Sequence, residues 1–154
     1  MYFIDTNILI RVLTQDDPIQ SPQALAFLDR VADGKVSGLV TEGVLVEVIQ
    51  VLAAKNTYAV DHRVIRERLM PLLTLPNLQI EHREQQLTAL DLFAESRLDY
   101  VDCLAIAYAQ SMNLDGIVSF DRGLDRHAPG VRFEPEGAGT AGEQEQQPMI
   151  ESDE

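Results

Sequence analysis

The chain has 154 residues, 45% of them hydrophobic, and a formal net charge of −13, which suits one domain with a real core. It contains no apolar run of about 18 residues, so no membrane span is expected; Asp5 interrupts the first apolar stretch and no basic segment precedes it, so no secretory signal is expected either. The single cysteine, Cys103, excludes an intrachain disulfide and a multi-cysteine zinc site, and a reducing cytoplasm is the expected setting.

The opening "YFID" (2–5) reads as a strand that stops at an aspartate, and "NILIRVL" continues as an apolar helix. "SPQALAFLDRVADG" is a predicted helix with Pro22 near its start and Gly34 at its end. "SGLVT" (37–41) is a second strand, followed by a strongly apolar helix in "EGVLVEVIQVLAAKN". "VDHRVIRERLMPLLTL" is a helix with Asp61 as N-cap, which Pro71 is expected to end or kink. "LQIE" (78–81) is a third strand. "REQQLTALDLFAESR" is an amphipathic helix with Leu87, Leu90, Phe93 and Ala94 on one side, and "DCLAIAYAQSMN" is a mostly apolar one. "GIVSF" (116–120) and "VRF" (131–133) complete the strands. Most of these strands lack polar–apolar alternation, as in strands buried on both faces. Strand–helix alternation of this kind predicts an α/β fold in three layers, a short central parallel sheet flanked by helices.

From Glu134 onward there are seven acids and no Lys or Arg; the remaining 18 acids and 12 bases give −6. Residues 134–154, rich in Gly, Glu and Gln, are expected to form a disordered acidic tail after a domain spanning 1–133. No internal repeat is present.

Four acids stand in apolar surroundings. Asp5 and Asp121 follow the first and fourth strands, where open parallel sheets place their sites; if those strands are neighbours, the two carboxylates converge. Glu47 shares a helical stripe with Val44 and Val51, which suggests a carboxylate out of ordinary solvent. Asp102 begins an apolar helix, with Asp99 three residues before it. Three of the four have a plainer reading: Asp5 as a helix cap, Glu47 as a surface glutamate or a core ion pair, and Asp102 as a first-turn acid behind Asp99 as N-cap. Held close together, four carboxylates would raise each other's pKa, and divalent cations would relieve that. Oxygen donors favour Mg²⁺ or Mn²⁺, and His62, His82 and His127 are scattered. Such a set suits metal-assisted phosphodiester hydrolysis. An acidic chain is a poor prior for a nucleic-acid binder, but metal neutralisation of the quartet would take the body from −6 to about −2.

"IDTNILIRVL", "TEGVLVEVIQVL", "DYVDCLAIAYAQ" and "IVSFDRGLDR", in that order between residue 2 and about residue 133, resemble the PIN domain, particularly the VapC-type toxins of bacterial toxin–antitoxin modules. The resemblance implies a metal-dependent endoribonuclease with its acidic quartet at Asp5, Glu47, Asp102 and Asp121, and Asp125 as a further candidate metal ligand. It matches Thr6, Asn7 and Ser119 to positions beside the acids; Thr6 and Ser119 are expected to orient carboxylates. It also implies a homodimer and a cognate antitoxin that masks the groove. The long acidic tail departs from the family; it could compete with RNA for basic residues or attract a basic antitoxin. Arg11, Arg122 and Arg126 are candidate RNA contacts. "DHRVIRER", with Arg63 and Glu67 as an i, i+4 pair, reads as a solvated helix face. The competing readings are a non-catalytic PIN-like RNA-binding or scaffold module, an aspartyl-phosphate phosphohydrolase with Asp5 as nucleophile, and a DNA nuclease. Phosphohydrolases of that kind want a second Asp where Asn7 stands.

Overall fold

A computed structural model describes residues 1–135. The expected acidic tail therefore lies, apart from its first two residues, outside the described residues. Within them the chain alternates short strands and helices: β1 (Tyr2–Phe3), α1 (Thr6–Thr14), α2 (Gln20–Ala32), β2 (Gly38–Val40), α3 (Glu42–Ala53), α4 (His62–Leu73), β3 (Leu78–Ile80), α5 (Arg83–Glu95), α6 (Tyr100–Ser111), β4 (Ile117–Val118), a 3-10 turn (Arg122–Arg126) and β5 (Arg132–Phe133). The strands form two parallel ladders, β1-β2-β3 and β4-β5. Parallel neighbours need long crossovers, and here helices supply them.

Local chemistry accounts for the element ends. α2 closes in a Schellman motif: Gly34 adopts φ +71°, its N–H donates to Val31 O, and Lys35 N–H donates to Arg30 O. Glycine suits that left-handed position because it carries no Cβ. Asp61 caps α4 as expected, its carboxylate accepting from Arg63 N–H at 2.9 Å. Pro71 does not end α4, which runs on to Leu73. Pro71 has no N–H to give Glu67 O, so α4 lacks that one backbone bond and stops two residues later.

The core joins sheet and helices. Ile4, Val40, Leu78 and Ile80 meet Leu9, Leu45, Ile49, Leu69, Leu90, Phe93 and Ile106. Fully burying a side chain of this class contributes about 1.5–3 kcal/mol. Gly38, in the central strand, lets the flanking strands' side chains close over it: a Cβ there would stand 2.5 Å from Ile4 Cδ1 and 2.9 Å from Leu78 Cδ1. Burial on both strand faces, expected from the sequence, does not hold throughout. Tyr2, Phe3, Val118 and Phe133 are exposed, because β1 is an edge strand and β4-β5 forms a ladder of its own. No helix among the described residues is long and apolar enough to cross a membrane.

Candidate active site

Asp5 occupies the N-cap position of α1 in extended backbone, yet its carboxylate makes no cap bond. Instead Asp5 Oδ2 accepts from Asn7 Nδ2 at 3.2 Å. The capping reading thus fails for the side chain, and the exposed carboxylate is left facing solvent. The next residue, Thr6, is buried, and its Oγ1 donates to Glu47 Oε2 at 2.5 Å. Thr6 therefore does orient a carboxylate, on α3 rather than beside it in sequence. Glu47 itself is exposed, which corrects the expectation drawn from its apolar neighbours. α3 buries Val44, Leu45, Val48, Ile49 and Leu52, a face wide enough to leave Glu47 at its margin.

The second group of acids gathers at the start of α6. Asp99 stands at the N-cap position, again without a side-chain cap bond. Asp102, in the first turn, is half-buried; burial first, then the charges of Asp121 and Asp99, push its carboxyl above the ordinary range. Asp121 follows β4 and begins the 3-10 turn, its Oδ1 accepting from Gly123 N–H at 2.7 Å. Gly123 leaves room for that return: a Cβ there would lie 3.0 Å from Asp121 Oδ1. Ser119 Oγ accepts from Asp121 N–H at 3.0 Å. Ser119 thus holds the backbone at Asp121, not a carboxylate as expected.

Asp125 is differently placed. Arg132 grips both its oxygens, at 2.8 and 3.0 Å, and that guanidinium holds its carboxyl below the ordinary range. Asp5, Glu47, Asp102 and Asp121, by contrast, make no ion pair with a Lys, Arg or His among the described residues. β1 and β4 share no ladder, so the convergence of Asp5 with Asp121 through neighbouring strands is not what links the acids. The links run instead from α1 to α3 through Thr6, and from α6 to the turn after β4 through the Asp102–Asp121 field.

The donor set is all oxygen and lacks counter-charge, which is the chemistry a hard divalent cation takes. Among the described residues no three His, Cys, Asp or Glu groups stand close enough to hold an ion as they are.

Of the basic residues expected to meet RNA, Arg11 is committed to Asp16 at 2.7 Å and Gln20 at 3.0 Å. Arg122 lies 3.8 Å from Glu134. Arg126 has no ion pair among the described residues and lines a cleft of about 830 Å³ with Lys55, Arg63, Arg97 and His127. Arg63 does not pair with Glu67 as expected. Sequence reading also missed a partly buried network beside the C-terminal ends of β2 and β3. Gln86 Nε2 and Tyr108 OH both donate to Glu42 Oε2, at 2.9 and 2.5 Å, and Tyr100 OH donates to Gln86 Oε1 at 2.6 Å. Nothing in the local pattern of α5 separates Gln86 from an ordinary surface residue.

Parallel strands joined by crossover helices define an α/β domain. The chain belongs to the PIN domain family, whose model matches residues 2–129. PIN domains are generally metal-dependent nucleases, so at family level the chain is a hydrolase of this kind. No curated protein matches it.

Proposed function

We propose that the chain is a Mg²⁺- or Mn²⁺-dependent endoribonuclease, with residues 1–133 as the catalytic domain and Asp5, Glu47, Asp102 and Asp121 as its acidic quartet. The observation that carries this reading is that all four carboxylates lack a cationic partner among the described residues, while Asp125 nearby has one. Asp102 in particular is half-buried with no counter-charge beside the charges of Asp121 and Asp99, a setting that a bound cation would relieve. When bound, the divalent cation supplies a water of lowered pKa and charge stabilisation at the leaving oxygen.

The chain's own residues do the positioning. Thr6 holds Glu47, Asn7 holds Asp5, and Gly123 N–H holds one oxygen of Asp121. That leaves Asp121 Oδ2 and the Asp102 carboxylate for the ion. Asp99 adds negative charge beside Asp102 and belongs to the same reading as an outer acid.

The finer assignment is a VapC-type toxin acting in the cytoplasm as a homodimer, held in check by a cognate antitoxin that covers the acids. It rests on the order and spacing of the four motifs together with the family match. Induced expression should arrest growth, and Asp5→Asn or co-expression of the adjacent gene's product should relieve the arrest. Purified protein should cleave RNA with Mg²⁺ or Mn²⁺ and stop on chelation. Mg²⁺-dependent ribonuclease activity that survives Asp5→Asn at wild-type rate would defeat the site assignment.

A further inference from the structure

Four of the chain's twelve Lys and Arg residues line one cleft. Lys55 follows α3, Arg63 sits in the first turn of α4, Arg97 lies between α5 and α6, and Arg126 ends the turn after β4. They come from four separate segments and meet only through the fold. All are exposed, and none makes an ion pair among the described residues. The cleft also holds two acids, Asp61 and Glu95. Four cations against these two acids leave the lining net positive in a chain that is strongly negative elsewhere.

The cleft adjoins a cavity that reaches Asp99, three residues before Asp102. His62 lines both the cleft and this smaller cavity of about 370 Å³, whose walls include Gln50, Ala53, Ala54 and Asp99. Glu47 and Gln50 stand three residues apart on one face of α3. Alanines at 53 and 54 keep the floor of that face low. From Glu47 to the last residue of α3, Ala53, the helix rises about 9 Å, and Lys55 follows two residues later. His62 is a fixed wall: its ring stacks on Phe93 with centroids 3.7 Å apart. Its Nδ1 lies 3.1 Å from Phe93 O, so it donates there and leaves Nε2 for other partners.

We propose that this cleft binds the backbone phosphates of single-stranded RNA beside the segment being cut, with Lys55, Arg97 and Arg126 as the phosphate contacts and Arg63 at its rim. The proposal rests on the ribonuclease reading for its choice of polyanion. Unpaired cations around an open, polar cleft read phosphate charge and carry no base specificity. The position gives an acidic protein a place to hold a polyanion: the attraction is concentrated beyond the C-terminal end of α3, apart from the four carboxylates.

The test is binding, separated from cleavage. A fluorescent single-stranded RNA oligonucleotide is titrated with the full chain in EDTA at several salt concentrations. Lys55→Gln/Arg97→Gln is compared with a charge-matched control, Arg30→Gln/Lys35→Gln, on the far end of α2. The cleft pair should weaken binding about tenfold at low salt and reduce the salt slope by about 1.4, the share of two phosphate contacts on a single strand. The control should stay within about twofold of wild type. If both pairs lose affinity equally, or the cleft pair loses none, the site is not where RNA sits. Loss of poly-glutamate binding with RNA binding intact would assign the cleft to an acidic protein partner and overturn the proposal. A wild-type chain that binds RNA in this pattern but cleaves none would leave the cleft standing while removing the ribonuclease reading.

Discussion

The Thr6 hydroxyl donates to Glu47 Oε2 at 2.5 Å, tying the start of α1 to the middle of α3 across 41 residues of chain. It places Glu47 relative to Asp5, because Thr6 and Asp5 are joined by one peptide bond. Charge-assisted O–H···O⁻ bonds of this length are strong. Thr6→Val keeps the shape and removes the donor. RNA cleavage should then fall about 10- to 100-fold, the usual effect of removing a residue that orients a metal-binding group. Thr6→Ser should restore most of it, and the two variants should melt within a few degrees of wild type. A Thr6→Val enzyme of full activity would remove the bond from the catalytic account.

Asp102 gives a test that does not need activity. Burial and the charges of Asp121 and Asp99 raise its carboxyl in the folded state. A raised acid destabilises the fold once it ionises, so wild type carries that penalty above the native pKa and sheds it as pH falls below the unfolded value. Asp102→Asn should therefore melt slightly higher than wild type in EDTA near neutrality, with the gain fading as pH drops through the carboxylate range. Added Mn²⁺ should reverse the order. Wild type gains about 2.7 kcal/mol at a hundredfold excess of ion over its Kd, and the variant gains less. Equal metal-induced shifts in the two proteins, read by thermal melting, would exclude Asp102 as a ligand.

Gln86 is fully buried and bridges Glu42 and Tyr100. Gln86→Leu leaves a carboxylate and a phenol short of a partner, at a cost of about 1–3 kcal/mol. In urea the midpoint should fall with the slope unchanged. Because the network lies outside the quartet, metal-dependent cleavage by the folded fraction should persist.

Cys103 is buried, and its thiol is pushed up to about 11, first by burial. A thiol raised this far stays neutral and unreactive at pH 8. Labelling by a thiol reagent should be slow in the native protein and fast in denaturant, and the native rate should follow global opening. Rapid native labelling would show that α6 opens locally.

Much of the domain is legible in sequence because it is built from local signals. The turn residues at Asp61 and Gly34 and the apolar strands and helices follow from composition and spacing near each position, and the structure places them where that reading puts them. Pro71 marks the limit: the helix tolerates one missing backbone bond and ends two residues after the proline, at Leu73. Asp5 is the clearest case of a local signal that was also informative. Its N-cap position follows from sequence, but only the structure shows that the carboxylate ignores the cap.

Contacts between distant segments were not legible, since no window of sequence contains both partners. The exposure of Glu47 depends on how wide a face α3 buries, and the choice between Asp121 and Asp125 depends on where Arg132 lies. The reading of "DHRVIRER" as a solvated face was fair for α4 alone; Arg63 gains its setting from Lys55, Arg97 and Arg126 on other elements. By itself the sequence determined an α/β domain with a set of acids in the PIN order, because periodicity, turn chemistry and motif order are carried along the chain. Only the tertiary structure decided which acids stay unpaired and which cations share a cleft, because charge pairing is set by distance in space.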